Sequence, residues 1–214
     1  MHASVLGKAE DPVNYITPCN SVPQDLQRLS DEDLLRLCAR RENTAVQELV
    51  RRYQAPLTRF FARLLSSPED VEEALLSVFL RAWQYAPRFQ YRARVKTLLY
   101  RIAVNIAYDV QRQSKRLQRQ SLLLQLDAPP QANAEEEALR KLERDEQART
   151  LQRALARLHP TDRSLLVLYY YEQMDYEQIQ DIMQLSYTVL KTRLSRARRR
   201  LRELLEEEDK EAGK

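Results

Sequence analysis

The sequence predicts an all-α protein whose two helical domains are joined by a flexible acidic linker. Apolar residues recur at steps of three and four along most of the chain from residue 29 onward, which is the period of an amphipathic helix. Several of these segments begin with residues that cap helices. A polar, proline-broken stretch at 127–133 divides the helical pattern in two. We therefore expect an extension over 1–28, a first domain over 29–118, a linker over 119–144 and a second domain over 145–214.

The N-terminal extension precedes the first predicted helix. Residues 1–28 contain Pro12, Pro18 and Pro23 and show no sustained apolar period. Such a segment buries too little apolar surface to order itself, so we expect it to be flexible.

The first domain is predicted to begin with three helices. Ser30 precedes acidic residues in the pattern of a helix start, and the helix continues to about Arg41. The apolar period predicts two further helices, over 44–53 and 57–65. Pro56 lies between them and indicates a boundary or a kink, because proline lacks the backbone N–H of a helical hydrogen bond.

Two longer helices complete the first domain. Ser67 and Pro68, followed by acidic residues, form a specific helix start signal, and the apolar period continues from there to Trp83. After a loop, a second long helix is predicted from residue 95 to 119. Residues 92–119 contain eight Lys or Arg and a single acid, so this helix is a cationic element.

The segment 175–202 predicts a helix-turn-helix. Asp175 and Gln178 have the spacing of a capping box at the start of a short helix. A turn follows, and Ser186 can cap a longer helix. Apolar residues at steps of four and three form the buried stripe of that helix: Leu190, Leu194, Ala197, Leu201 and Leu204.

The opposite face of the longer helix is polar and cationic. From residue 184 to 202 there are seven Lys or Arg and no Asp or Glu, which is typical of a recognition helix in the major groove of DNA. The alternative is the solvated basic face of a coiled coil or packing helix. Small hydroxyl side chains on this face and the capped helix before it favour DNA binding. The residues predicted to contact DNA are Lys191, Thr192, Ser195, Arg196 and Arg199.

Acidic segments flank the second domain. Residues 135–137 are three glutamates that start a predicted acidic helix, which continues towards His159. Residues 203–211 form an acidic tail, for which solvation of the helix end is the simplest interpretation and masking of the basic helix is the alternative.

Composition excludes several classes of function. The only glycines are Gly7 and Gly213, so no glycine-rich phosphate loop, dinucleotide fingerprint or nucleophile elbow lies between them. There are two histidines, and Cys19 and Cys38 lack metal-ligand spacing, so we expect no metal site, no cofactor and no enzyme activity. Cys38 is interpreted as a small core residue. No apolar run approaches the roughly 20 residues of a membrane span, and we expect a cytoplasmic protein without membrane insertion.

The ordered motifs of both domains resemble a bacterial RNA polymerase sigma factor of the extracytoplasmic-function (ECF) group. Three stretches of the first domain resemble the successive parts of sigma region 2: DEDLLRLCARRENTAVQELVRRYQAPLTRFFARLL, SPEDVEEALLSVFLRAW and FQYRARVKTLLYRIAVNIAYDVQR. The second domain resembles sigma region 4 in the stretch LHPTDRSLLVLYYYEQMDYEQIQDIMQLSYTVLKTRLSRARRRLREL. The resemblance covers roughly residues 29–205.

The resemblance implies a promoter-specificity subunit of the polymerase. The first domain would dock on the polymerase clamp and open the minus-ten promoter element, while the second would read the minus-thirty-five element. Polymerase contacts are expected at Asp70, Glu73, Leu76, Ser77 and Arg81. Capture of the opened strand is expected at Gln90, Tyr91, Lys96, Arg101 and Asn105. The implied partners are core RNA polymerase and promoter DNA, and the group allows for an anti-sigma factor that sequesters the free protein.

The sequence departs from the family pattern at four positions. Leu76 and Ser77 stand where a glutamine and an acid usually face the polymerase, and Leu98 stands in place of a tryptophan. Gln184 occupies the position of the turn glycine. A non-glycine residue fits such a turn if its backbone adopts the required conformation.

An alternative interpretation is a helix-turn-helix regulator that does not bind core polymerase. The cationic helix that carries Asn105 argues against it, since a plain regulator needs no strand-opening element. A helical scaffold without nucleic acid is a further alternative, and it would show no salt-dependent DNA binding.

Overall fold

The computed structural model describes residues 24–90, 94–124 and 139–212. Within these ranges the secondary structure is helical and contains no strand, which confirms the predicted all-α class. The α-helices are α1 (Gln24–Gln27), α2 (Asp31–Ala39), α3 (Asn43–Leu64), α4 (Pro68–Tyr85), α5 (Val95–Leu124), α6 (Leu139–Arg157), α7 (Pro160–Leu166), α8 (Tyr176–Met183) and α9 (Tyr187–Ala212). A 3-10 turn (Ala86–Arg88) follows α4, and a π-helical turn (Val167–Tyr171) follows α7.

Three predicted helix starts are confirmed by their capping bonds. The hydroxyls of Ser30 and Ser67, before α2 and α4, each accept a bond from the backbone N–H three residues on, at 3.1 and 3.3 Å. Before α8, the Asp175 carboxylate accepts from the Gln178 N–H at 2.8 Å. The Gln178 side chain accepts in turn from the Asp175 N–H at 3.2 Å, which completes the capping box.

Helix α3 differs from the prediction at Pro56. Two helices were expected on either side of the proline, but α3 continues through it. Pro56 still removes one backbone hydrogen bond. Its neighbours Tyr53 and Leu57 are buried, and burial along this face of α3 offsets the missing bond.

The core of the first domain lies between α2, α3, α4 and α5. The Phe60 ring of α3 meets Phe61 at 5.8 Å and Tyr100 of α5 at 5.3 Å between centroids, in edge-to-face geometry. Cys38 of α2 is buried, as predicted, and burial raises the pKa of its thiol to about 11. The thiol therefore stays protonated at neutral pH and acts as a packing residue.

A buried carboxylate joins α1 and α2 to α3. Glu48 has no exposed surface, and its two oxygens accept bonds from the guanidinium groups of Arg51 and Arg52 at 2.7 Å. Arg52 also pairs with Asp31 at 2.7 Å and donates to the carbonyl of Gln27, at the end of α1, at 2.9 Å. The hydrogen bonds from Arg51, with those from Arg52, lower the pKa of Glu48 to about 2.

The second domain is organised around α9. Its predicted apolar stripe is confirmed, because Leu190, Leu194, Ala197 and Leu204 are buried and Leu201 is half-buried. Helices α6, α7 and α8 pack against this helix.

The acidic tail continues α9 to Ala212. Glu208 accepts from Arg153 and Arg157 of α6 at 2.9 and 3.2 Å, and Glu207 pairs with Arg157 at 2.6 Å. These glutamates therefore bind α6.

The two domains contact each other through helix ends. Gln152 and Arg163 of the second domain donate to two successive carbonyls in the last turn of α3, at 2.9 and 2.8 Å. In the reverse direction, Arg101 of α5 donates to the Asp181 carbonyl near the end of α8. Each domain thus caps a helix C-terminus of the other, where carbonyls lack partners within their own helix.

Aromatic side chains border this interdomain contact. The Tyr100 hydroxyl of α5 donates to the carboxylate of Glu172, which follows the π-helical turn. The guanidinium of Arg63 lies 4.0 Å above the ring of Tyr171. Burial, followed by the bond to Glu172, raises the pKa of Tyr100.

The helices extend beyond the predicted domain limits. α5 continues to Leu124 and α6 begins at Leu139, so helix enters both ends of the predicted linker over 119–144. α1 lies inside the predicted N-terminal extension. Residues 1–23 and 125–138 lie outside the described residues, and the flexibility expected there stays a prediction.

We expect Glu48→Gln to lower the free energy of unfolding by about 2 kcal/mol near pH 7, because two guanidinium groups lose a charged acceptor. The folded-state pKa of about 2 lies below the ordinary value of 4.5, so this stabilisation is complete above pH 4.5 and is lost as the pH falls towards 2. Urea unfolding measured near pH 7 and near pH 3 should therefore show a smaller difference between wild type and E48Q at the lower pH.

Glu203→Gln is the matched control for this experiment. Glu203 is exposed and pairs with Arg200 at 3.0 Å. Exposed ion pairs contribute little to stability, so we expect this variant to change the free energy of unfolding by less than about 0.5 kcal/mol. Equal losses in the two variants would contradict the role given to the buried carboxylate.

Candidate nucleic-acid interface

The helix-turn-helix consists of α8, a short turn and α9. Gln184 follows α8 with φ 55° and ψ 45°, which is the left-handed conformation. Its side chain donates to the Asp181 carbonyl at 2.7 Å and so bridges the last turn of α8. The left-handed backbone explains why glycine suits this position, and the glutamine adopts it with the help of a side-chain bond.

The outward face of α9 carries the residues predicted to contact DNA. All of them are exposed, opposite the buried stripe: Lys191, Thr192, Ser195, Arg196 and Arg199. The Arg199 side chain is 75% exposed, and its Nε lies 3.9 Å from Glu203. The face is therefore open to a ligand over several turns of helix.

Other arginines of α9 bind within the second domain. Arg193 lies 3.6 Å from Asp162 of α7, and Arg198 lies 5.1 Å above the Tyr169 ring. Arg200 pairs with Glu203. The cationic run in the sequence thus divides into solvent-facing residues and residues that hold the domain together.

Sequence reasoning missed two exposed apolar residues at the start of α9. Tyr187 is 52% exposed and Val189 is 43% exposed. Val189 lies three residues before Thr192 and seven before Arg196, so it shares their side of the helix. The sequence did contain a signal for the exposure of Val189, because this valine does not belong to the apolar stripe of α9.

The second set of predicted DNA contacts lies on the cationic helix α5 and in the segment before it. Gln90 and Asn105 are exposed, and Tyr91 lies outside the described residues. Lys96 and Arg101 are half-buried, with the Lys96 Nζ 5.9 Å from the centroid of the Tyr100 ring. Arg101 follows Lys96 by five positions, a rotation of about 140°, so the two cations lie on different sides of α5.

Arg101 is engaged by the second domain. Its terminal nitrogen donates to the Asp181 carbonyl, while its Nε is buried and has no acceptor among the described residues. Asn105 lies four residues further on, about 40° around the helix, and remains exposed. The structure therefore places Arg101 and Asn105 on one side of α5 but leaves only Asn105 open.

The residues predicted to bind polymerase lie on α4. A groove of about 250 Å³ runs between α4 and α5, and its α4 side is lined by Asp70, Glu73, Ser77 and Arg81. Leu76 lies outside this groove and is 71% exposed, and Leu80, one turn on, is 47% exposed. Polar side chains of the groove and exposed leucines are thus adjacent on one helix.

Comparison with known proteins identifies the family. The sigma-70 region 2 family matches residues 49–117, and the sigma-70 region 4 family matches residues 148–201. The ECF RNA polymerase sigma factor SigM of Mycobacterium tuberculosis is 31% identical over 179 residues, which cover 82% of this chain and 85% of SigM. The chain belongs to the ECF sigma factor family. The RNA polymerase sigma-H factor of Pseudomonas aeruginosa is also similar, at 24% identity over 81% of this sigma factor and 92% of its own length.

Two solved structures share the fold of this sigma factor. CnrH, in complex with the cytosolic domain of CnrY, matches with a TM-score of 0.60 at 22% identity, over 82% of this chain and 97% of that chain. The sigma factor RpoE of Bartonella quintana, in complex with the anti-sigma factor NepR, matches with a TM-score of 0.56 at 24% identity, over 75% and 96%. The likeness to both is one of fold.

The helices that the structure describes are amphipathic or polar rather than uniformly apolar. None of its helices is long and apolar enough to cross a bilayer. Among the same residues, no three His, Cys, Asp or Glu side chains are grouped so that they could hold a metal ion.

Proposed function

We propose that this sigma factor binds core RNA polymerase, reads the minus-thirty-five promoter element with α9 and captures the opened minus-ten strand with α5. The observation that carries the proposal is the outward face of α9, where exposed hydroxyl and cationic side chains lie opposite a buried apolar stripe. A helix divided in this way fits a groove lined by phosphates. Membership of the ECF family supports the polymerase as partner.

The proposed DNA contacts of α9 combine two kinds of chemistry. Lys191, Arg196 and Arg199 are suited to phosphates and to the acceptors on guanine edges. The hydroxyls of Thr192 and Ser195 are suited to hydrogen bonds with phosphates or with base edges. Val189 adds an exposed apolar group of the kind that contacts a thymine methyl.

The proposed capture of the DNA strand by α5 requires a pocket for an unstacked base and positive charge to hold the phosphate backbone of the strand. Asn105 is exposed, and its amide can bond to the edge of an unstacked base, with Gln90 and Tyr91 in the preceding loop as its proposed neighbours. Lys96 and Arg101 are proposed to hold phosphates. Because they lie on different sides of α5, they would contact the strand at separate points.

We propose that α4 docks on the polymerase. Leu76 and Leu80 expose adjacent apolar surface, which is typical of a protein interface. The neighbouring groove supplies the polar contacts of Asp70, Glu73, Ser77 and Arg81. The leucine at position 76 thus replaces a polar contact of the family with an apolar one.

The proposed function is non-covalent throughout. Reading and opening DNA need binding surfaces and no reacting group, so we propose a protein of the cytoplasm without enzyme activity or cofactor. An anti-sigma factor is a further proposed partner, because RpoE was solved with one. Purification from the native host tests this, and a full yield of free, DNA-competent protein would count against it.

We expect Leu76→Asp to weaken binding to core polymerase at least tenfold, because burial of a leucine contributes about 1.5–3 kcal/mol and a charge would oppose it. Leu76→Met is the control, since it keeps the apolar surface and should bind normally. Anisotropy of a labelled chain titrated with core polymerase measures both. If wild type binds promoter DNA but no polymerase, the chain is a helix-turn-helix regulator instead.

We expect Arg196→Ala or Arg199→Ala to cost about 1–3 kcal/mol of sequence-dependent binding if the residue reads a guanine edge. If it contacts only phosphate, binding should weaken on every sequence and the salt slope should fall by about one. Arg200→Ala is the control, because Arg200 pairs with Glu203 and lies outside the proposed set of DNA contacts. This variant should bind DNA with nearly the affinity of the wild type. Unchanged affinity for DNA in both test variants would contradict the assignment of α9 as the DNA-binding helix.

We expect Asn105→Ala to reduce open-complex formation while duplex binding by the second domain stays intact. A promoter template with a pre-melted bubble should restore most of the activity, since it removes the need to open the strands. Transcription by core polymerase in vitro, on matched closed and bubble templates, measures this. Normal opening by the variant, or no relief on the bubble template, would remove Asn105 from the strand-capturing group.

A further inference from the structure

The first turn of α9 exposes one apolar side chain that packing of the protein does not explain. Val189 is 43% exposed, and in the described part of the chain it belongs neither to the hydrophobic core nor to the apolar side chains packed against it. Tyr187 is also exposed, but its ring lies 5.8 Å from that of Tyr176. Contacts within the second domain therefore account for Tyr187 and leave Val189 unexplained.

Helix formation does not explain the valine either. Branching at Cβ restricts the side chain in a helix, so valine forms helices less readily than alanine, lysine or glutamate. Exposed helical positions are better filled by those residues. The neighbours of Val189 on the outward face, Thr188 and Thr192, are exposed and polar. A single apolar group among them, on a face proposed to bind DNA, indicates contact with an apolar group of the DNA.

The major groove offers one apolar group for such a contact. The C5-methyl of thymine projects into this groove, while the other groups on the base edges there are hydrogen-bond donors and acceptors. The valine side chain can bond to none of those polar atoms, and covering a polar atom without a bond costs free energy. Val189 should therefore favour a thymine where its side chain meets the bases.

Helical geometry sets the distance from this thymine to the base pair that Arg196 contacts. Arg196 follows Val189 by seven positions, which leaves the two side chains only about 20° apart around α9 and separates them by about 10.5 Å along it. Both are exposed. At about 3.4 Å per base pair, this separation spans about three base pairs, and fewer when the helix is inclined to the DNA axis.

We infer that Val189 selects a thymine in the promoter element that α9 reads, and that this thymine lies about two or three base pairs from the base pair contacted by Arg196. The inference rests on the proposed function of α9. It extends that function from the helix to the bases, because it assigns one base of the element to one side chain through a single methyl group.

Selection of DNA sequences tests the inference with the full chain bound to core RNA polymerase. Wild type, Val189→Ala and Arg196→Ala each select from the same pool of duplexes with randomised sequence. We expect V189A to lose the preference for thymine at one position of the element and to keep the rest. R196A should lose its preference two or three base pairs away. Val189 is exposed and alanine favours helix, so V189A should fold normally.

Removal of the methyl group from the DNA gives a measurement that needs no variant protein. Uracil differs from thymine only in lacking the C5-methyl, so uracil at the selected position should weaken wild-type binding about fourfold, as expected for one buried methyl group. The same replacement should leave the affinity of V189A unchanged. Val189→Ile keeps the apolar contact and should retain the sensitivity to uracil. Uracil at other thymines of the element is the control on the DNA, and it should affect V189A and wild type equally.

Two results would overturn the inference while the proposed function of α9 stands. One is an element that V189A and wild type select with the same thymine preference. The other is a wild-type affinity that does not respond to uracil at the selected position. If wild type selects no element at all, the assignment of α9 as the DNA-reading helix fails, and the role of Val189 fails with it.

Discussion

The arrangement of the two domains depends on a guanidinium buried at the end of a helix. Arg163 is 5% exposed, and burial lowers its pKa to about 10, so it stays cationic at neutral pH. Removal of such a charge from water costs several kcal/mol. The bonded carbonyl in the last turn of α3, together with the negative end of that helix dipole, offsets this cost. Arg101 meets the end of α8 in the same way, with the domains exchanged.

This mode of capping follows from a chain whose only glycines lie near its termini. Helices commonly end on a glycine in the left-handed conformation, which leaves few carbonyls for other partners. Here Arg41, Gln173 and Gln184 take positive φ values of 68°, 50° and 55° instead. Long side chains from neighbouring helices satisfy the remaining carbonyls, so the ends of the helices become points of tertiary contact.

Local signals in the sequence predicted the helix starts and the buried stripe of α9, because caps and periodicity involve residues a few positions apart. Continuity of α3 through Pro56 could not be read in this way, since burial against distant residues decides it. Local signals also could not predict the interdomain contact, because Arg163 and Arg63 are a hundred positions apart in the chain. For the candidate site, exposure of the α9 face was predictable from helical angle, while the engagement of Arg101 by α8 was not. The DNA and polymerase contacts themselves stay predictions.

Helix α9 joins the face that we propose to bind DNA to the segment that anchors it on α6, without a break. The same rigid rod carries Arg196 and Arg199 near its middle and, two turns later, the glutamates that bind α6. Each residue advances the helix by about 100°, so the rotational phase between face and anchor is set by the number of residues between them. A single insertion or deletion in this interval would rotate these glutamates by about 100° relative to the face proposed to bind DNA, and so break their pairs with α6. Sequence length here is therefore as constrained as sequence identity.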